Sequence, residues 1–570
     1  MKENTQHMSI TSILDDVKKK QVILFLLMFT LIFIRFCYYG LEYYHQLDDY
    51  IQYSNYAQDN TPLKTIKSLG VLAARPLAGV MDILIWSQFF SVMIIPVAII
   101  SALFAASAML FHNVWRQHFG TGNVFLIVYS LLPLGIEGTY WVSASSRIVL
   151  GLFFAAVSLY YFDQWCETGK KRYVVTYALT QAVCYGFYEQ MLVLSLTMTI
   201  LVAFLYYKQH RKRALWGLLS FLFVAIYFFL TSLVKNSIVH SSRLSLVPPF
   251  GNIYFNRILP NVFSQVVDAF GKGAFYTLVK GAWRGFHMIF NDKSILYTLV
   301  IIILCLAYYY IANKDTTEQA VKNDMAKNKH QGNITIVSSV RVSLVYGLLM
   351  ALAPVSIFFV IENAWFSLRG TVASFCGLAL LIDTIIQLIF SKFKAGKRVL
   401  SVLSSIFIFI CCIASVSEIH DYRATTLADR HIIALIADKL EEDGNLRRGL
   451  NIAVLNIEPS YLDNQNFLYH EHIYGVTESA WGLSGALESR VGYYNRPRVA
   501  PMRMGVMYYP WNSETSRMTN FDFVYVYLSD EIQNVFVESM SEFEFVLTDS
   551  HGNYLGRVWE ENLYGYFFLG

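Results

Sequence analysis

The feature that most constrains this chain is a recurrence of long apolar runs, each close to the length a helix needs to cross a bilayer. A hydrocarbon core of about 30 Å takes roughly 20 mostly apolar helical residues. Eleven runs qualify: 21–39, 89–111, 122–137, 147–165, 172–187, 190–207, 214–235, 294–312, 342–361, 370–390 and 399–416. The third, fifth and sixth are short or closely spaced. Composition agrees, with 55% hydrophobic and only 15% charged residues in 570, and a mean hydropathy of +0.41. Soluble domains carry about 25% charged residues. The first run follows Lys18, Lys19 and Lys20, exceeds a secretory leader core and lacks a small-residue cleavage site, so it reads as a retained signal anchor.

The loops set the expected orientation. With alternating spans, Lys18–Lys20, Arg116, Lys170–Arg172, Lys208 with Arg211–Arg213, Lys314 to Arg341, and Lys392 to Arg398 fall on one side. The positive-inside rule makes that side cytoplasmic. The other side receives 40–88, 138–146, 188–189, 236–293, 362–369 and everything after 417. The expected fold is an all-α polytopic membrane protein of about eleven transmembrane helices with a C-terminal extracytoplasmic α/β domain. Its parts are a cytoplasmic segment 1–20, a transmembrane domain 21–416 and an outer domain 417–570.

Two outer loops are long. In 40–88, Arg75-Pro76 precedes an amphipathic stretch, Leu77 to Gln88, which predicts an interfacial helix. The other carries Lys235, Arg243, Arg257, Lys272, Lys280, Arg284 and Lys293 against Asp268 and Asp292. Its apolar residues recur at helical spacing, predicting segments on the bilayer surface, broken at Pro248-Pro249 and Pro260. The inner loop 313–340 is polar.

From 417 onward there are 22 Asp+Glu against 11 Lys+Arg, a net of −11, while the rest of the chain carries +15. Within that acidic region Ala424 to Leu440 predicts an amphipathic helix. Leu450–Ile457 and Phe523–Leu528 predict strands, and Phe543–Thr548 with Asn553–Trp559 a hairpin. All seven cysteines lie in apolar segments, which excludes a disulfide framework or thiolate zinc site in the domain. His470 and His472 flank Glu471 and read as surface polarity.

The chemistry-bearing residues gather at the expected outer ends of the spans. Asp48-Asp49 follows the first span. Glu137 to Trp141 with Ser143, Ser145, Ser146 and Arg147 forms one short turn, and Tyr188-Glu189-Gln190 a second. Glu362-Asn363-Ala364-Trp365 with Arg369 forms a third. Each turn pairs a carboxylate with an aromatic, and two add an arginine. Carboxylates orient hydroxyls or take a proton, aromatics stack on sugar faces, and arginines hold phosphate. The ordinary reading of any one turn is an interfacial aromatic belt with paired charges; their convergence on one side favours a site. Arg35, inside the first span, either snorkels or reaches the same region. No GxxxxGK[ST], HExxH or GxGxxG motif is present, and no basic-aromatic pattern points to nucleic acid.

With these residues in place the chain resembles the polytopic GT-C glycosyltransferases, and among them the O-antigen glucosyltransferase type. The resemblance rests on Asp48-Asp49 in a long first outer loop, Arg75-Pro76-Leu77, Glu137 through Arg147, Tyr188-Glu189-Gln190, and Arg369 at a late span, and covers roughly residues 20–400. It implies a polyprenyl-phosphate-linked sugar donor, undecaprenyl in a bacterium, and inverting transfer at the outer leaflet of the plasma (inner) membrane. The acceptor would be a surface glycan or teichoic-type polymer. The family's catalytic base maps to Asp48 or Asp49, with Asp48 preferred. Arg369, Arg147 or the basic loop would hold phosphate, while Arg75, Glu137, Trp141, Tyr188, Glu189, Gln190 and Trp365 would bind substrate. Metal use varies across the class, so magnesium or manganese on Asp48, Asp49 and Glu137 stays open beside metal-independent catalysis. The physical logic runs alongside: nucleotide sugars are cytoplasmic, so an outer site needs a lipid-delivered sugar whose phosphate leaves as an anion. The enzyme must then supply a base, fixed reactants and positive charge. A saccharide flippase and a non-catalytic envelope scaffold are the competing expectations. For the outer domain, the Tyr493 to Trp511 stretch suggests acceptor capture or active-site covering.

Overall fold

A computed structural model describes residues 10–54, 75–238, 247–248, 250–326, 336–362, 364–390, 396–457, 475–502, 518–561 and 564–569. Arg243, Pro249, Asn363, His470–His472 and the 503–511 part of the aromatic stretch lie outside the described residues. The chain divides into two compact units. One holds the described residues of 1–41, 69–79 and 94–418; the other holds those of 42–68, 80–93 and 419–570.

The first unit is helical. Among the described residues seven stretches are long and apolar enough to cross a membrane: Ile94–Phe119, Val142–Thr168, Glu189–Leu230, Ile295–Asn313, Val340–Val360, Leu368–Phe390 and Arg398–Glu442. The runs at 190–207 and 214–235 belong to one of these, kinked at His210 (φ −133°, ψ 49°). The basic cluster beside the kink has a local task. Helix Val142–Thr168 ends on left-handed Gly169 (φ 69°), and the Arg213 guanidinium donates to the carbonyls of Cys166 and Glu167 at 3.1 and 2.8 Å. Cations at a helix C-terminus satisfy its orphan carbonyls. The run at 122–137 is helical only over Asn123–Leu131 before Pro133 turns it into a 3-10 segment, Pro133–Gly135. Asp383, buried in another apolar helix, caps Asn123–Leu131 by accepting from the Gly122 and Phe125 amides.

The basic loop is helical through most of its described length, from the π-helical turn Tyr254–Ile258 to helix Gly281–Asn291. Pro260 does not break it, because it sits in the first turn of Leu259–Val267, where its missing N–H costs nothing. One face is small and buried: a Cβ on Gly285 would collide with the Ile413 carbonyl, and one on Gly281 would meet that of Ala414. This small-xxx-small spacing lets two helix backbones approach closely. Phe255, Phe263, Trp283, Phe286 and Phe290 are exposed.

The second unit contains a seven-stranded sheet: β1 Asn451–Leu455, β2 Arg498–Met502, β3 Phe523–Leu528, β4 Glu531–Ser539, β5 Glu544–Thr548, β6 Tyr554–Glu561 and β7 Tyr564–Leu569. The order is β2-β1-β3-β4-β5-β6-β7, parallel across the first three strands and antiparallel beyond. Alternation sorts the side chains. Ile452, Val454, Val499 and Tyr525 pack with Ile433, Ile436 and Leu440 of helix Gly396–Glu442 and with Leu483 and Leu487 of helix Ala480–Val491. Ala453, Leu455, Ala500, Val524 and Val526 form the opposite face with Phe545 and Val558. The expected helix at 424–440 is the last part of the 47-residue Gly396–Glu442, which has no Gly or Pro after its first residue to stop it. Tyr50, from the first loop, belongs to the same core.

Candidate functional site

The first unit brings several of the expected residues together. After Pro133–Gly135 the chain makes a one-turn helix, Glu137–Tyr140, and leaves it at extended Trp141 to start Val142–Thr168. This turn lies flat against the 3-10 segment Leu368–Ser374. A Cβ on Gly138 would stand 3.0 Å from the Arg369 carbonyl, and one on Gly135 would meet Val372 and Phe375. Glycine at both positions is therefore what the contact requires. The contact places fully buried Glu137 4.0 Å from the Arg369 guanidinium, which also lies 5.4 Å from the Trp141 ring centre.

Two further residues reinforce the arrangement. Arg35 is 1% exposed, so it does not snorkel; it donates from Nη2 to the Thr139 hydroxyl at 3.1 Å, and its Nε and Nη1 have no hydrogen-bond partner among the described residues. A buried guanidinium with spare donors is costly unless something uses them. Gln190 donates to the carbonyls of Gly370 (3.0 Å) and Pro354 (3.2 Å), so it fixes the backbone next to Arg369. Arg147 and the flanking serines are buried in the first turns of Val142–Thr168.

Other expected residues are placed differently. The Arg75 Nε reaches both Glu189 oxygens at 3.0 and 3.1 Å, while its guanidinium covers the Tyr188 ring at 4.3 Å. Glu189 opens a helix, where a carboxylate also meets the positive end of the helix dipole. Leu77 donates its amide to the Gly186 carbonyl, so this group is braced as a structural clasp. Trp365 is 56% exposed. Glu362 lines a separate cavity of about 180 Å³ with Arg257 and Asn261.

Asp48 and Asp49 belong to the second unit. Asp49 is fully buried and accepts from the Tyr43 hydroxyl at 2.6 Å and the Gln46 amide at 3.0 Å, completing a reciprocal cap on the turn Leu47–Asp49. Gln46 in turn donates to the Tyr422 carbonyl and the Thr426 hydroxyl, at 3.0 and 2.8 Å. Asp48 is half-buried and the more accessible of the two. The environment thus gives the two neighbouring aspartates different surroundings, Asp49 buried in a cap and Asp48 more accessible. Among the described residues no group of three or more His, Cys, Asp or Glu side chains is arranged to hold a metal ion.

One cluster escaped the sequence reading. Asp163 Oδ1 lies 2.7 Å from His118 Nε2 and accepts from the Tyr206 hydroxyl at 3.1 Å. An aspartate inside an apolar helix was the available signal. Chemically, the first-unit cluster offers an oriented guanidinium beside an indole, a second guanidinium with free donors, and a carboxylate removed from water. Such a set suits a phosphate and a sugar face. The sequence matches no protein-family model, and no curated protein matches it.

Proposed function

We propose that the protein is a membrane glycosyltransferase of GT-C type, moving a hexose or N-acetylhexosamine from a polyprenyl-phosphate carrier to a surface glycan or teichoic-type polymer. In this reading the chain has eleven spans, a cytoplasmic N-terminus and an extracytoplasmic C-terminal domain in a bacterial plasma membrane. The supporting observation is the cluster of Arg35, Glu137, Trp141 and Arg369, drawn from three distant parts of the sequence and braced by Gln190. Its chemistry fits a leaving phosphate and the sugar it carries.

The acceptor hydroxyl attacks the anomeric carbon from the face opposite the lipid phosphate, and its proton passes to a carboxylate base, the role that the family resemblance implies for Asp48. The carbon–oxygen bond to the carrier breaks as the new one forms, so configuration inverts and polyprenyl phosphate leaves with both electrons. Arg369 and Arg35 offset the charge on that phosphate. Asp49 keeps the turn that carries Asp48.

The test uses purified full-length protein, a synthetic polyprenyl-phosphate sugar and mass analysis of the product. Asp48→Asn is expected to lower turnover by about 10²- to 10⁴-fold, the usual contribution of a positioned base, with an unchanged melting temperature. Asp49→Asn is expected to lower the melting temperature instead, because it loses a buried cap. Wild-type turnover in the Asp48→Asn protein removes the base assignment, and turnover retained in the double variant removes the transferase reading.

A further inference from the structure

The sheet of the second unit carries a cleft that the transferase reading does not use. It has a volume of about 430 Å³ and is lined by Arg448, Asn451, Trp481, Ser484, Arg496 and Arg498 among others. That size falls within the range of small-molecule sites. Its construction follows from the parallel pairing of β1 and β2. Asn451 opens β1 and Arg498 opens β2, and the two are partners in register. The Arg498 amide donates to the Leu450 carbonyl at 2.8 Å, which ties the two strand entrances together. Helix Ala480–Val491 supplies Trp481 and Ser484. The Ser484 hydroxyl is occupied, accepting from the Val499 amide at 2.9 Å and donating to its carbonyl, and so locks the helix to β2.

Charge makes this cleft unusual. The chain from 417 onward has twice as many acidic as basic residues, 22 against 11, yet three arginines converge here. One buried carboxylate, Glu488, pairs with Arg496 at 2.7 Å. Arg448 lies over the Tyr493 ring at 3.9 Å, and exposed Arg498 has no ion-pair partner among the described residues. Three guanidiniums against two carboxylates, Glu488 and Asp522, the second of which accepts from the Asn451 amide at 2.8 Å, still leave a local excess of positive charge in a region whose average is negative. Guanidinium forks match the paired oxygens of phosphate and carboxylate. Trp481, half-buried at the same wall, offers a flat apolar face beside them.

We propose that this cleft binds an oxyanion, phosphate or carboxylate, carried on a saccharide or polyol unit of the acceptor polymer. The saccharide half rests on the transferase reading and on Trp481, whereas the oxyanion half rests on the arginines alone. Arg448 and Arg498 grip the oxyanion, Trp481 faces the carbon skeleton, and Glu488 holds Arg496 in place. The second unit then selects an anionic acceptor.

The experiment titrates full-length protein in detergent with glucose 1-phosphate, glucuronate, inorganic phosphate and glucose by calorimetry, beside an Arg448→Gln/Arg498→Gln variant. Saturable binding of glucose 1-phosphate or glucuronate is expected, with no binding of glucose. The double variant should weaken it by roughly tenfold or more, the loss of charge-assisted hydrogen bonds, at an unchanged melting temperature. Preference for glucose 1-phosphate identifies a phosphate-bearing acceptor, and preference for glucuronate a uronic acid. Inorganic phosphate binding as tightly as glucose 1-phosphate overturns the saccharide half. Equal affinities in wild type and variant overturn the whole proposal, as does failure of all three anions to bind. Arg498→Lys keeps the charge without the fork, and its intermediate affinity guards against a folding artefact in the double variant. Loss of the transferase reading would appear separately, as full turnover in Asp48→Asn and Asp49→Asn proteins with anion binding intact.

Discussion

At His45 the rings of Tyr43, Tyr50 and Phe90 take the place of water, with ring centres 5.2, 5.6 and 4.8 Å away. Burial lowers the imidazole from its ordinary 6.5 to about 4; the bond to the Phe90 carbonyl opposes that fall and Arg430 adds to it. Between those values the unfolded chain binds a proton that the folded chain refuses. The stabilisation associated with neutral His45 is therefore complete above about pH 6.5 and is lost as the pH falls toward about 4. Thermal melts of wild type and His45→Gln across this window should converge as the pH falls if wild type starts higher, because only wild type carries this slope. Parallel curves would remove His45 from the pH response. At Asp49 the carboxylate serves the backbone and a tyrosine, a cap that two adjacent aspartates in a sequence do not reveal.

At the scale of elements, helix Gly281–Asn291 makes its close approach to the 413–414 backbone at two glycines, Gly281 and Gly285. Gly285 has no room for even a methyl group against the Ile413 backbone, whereas Gly271 has nothing within 4 Å. Gly285→Ala is expected to cost about 1–3 kcal/mol through overpacking and to lower the melting temperature of the solubilised protein. Gly271→Ala should leave it unchanged. Equal melting temperatures for the two variants would mean that the close approach is not what holds this helix. The amphipathic pattern of the loop was readable because exposed phenylalanines repeat at helical spacing. Its continuity through Pro260 was less so, since a proline breaks a helix or opens one depending on which turn it occupies. Conversely, the fusion of the last apolar run with the 424–440 helix was written in the absence of any breaker between them.

For the whole molecule, the division into units does not follow the order of the chain. The described parts of 42–68 and 80–93 belong to one compact unit with those of 419–570. Tyr50 sits in the core with Ile433, Ile436 and Leu440, and the Gln46 side chain bonds to Tyr422 and Thr426. Ending the chain after Glu418 should therefore strip residues 42–54 of their partners. Limited proteolysis of the truncated protein is expected to show new cleavage within that stretch. Unchanged protection there would mean that the first loop holds its structure without the C-terminal region.

The sequence by itself determined the membrane-scale character of the chain, the acidic C-terminal domain and several of its strands. These follow from local quantities: run length, periodicity and charge. It also singled out Glu137, Trp141 and Arg369 as residues of interest. Only the tertiary structure decided which of them meet, because side chains more than two hundred positions apart are joined by glycines that let backbones touch. It likewise decided that Gln190 supports a backbone, that Arg75 pairs with Glu189, and that Arg448 shares a cleft with Arg496 and Arg498. Such roles depend on what lies across the gap, and a one-dimensional string does not record its own neighbours in space.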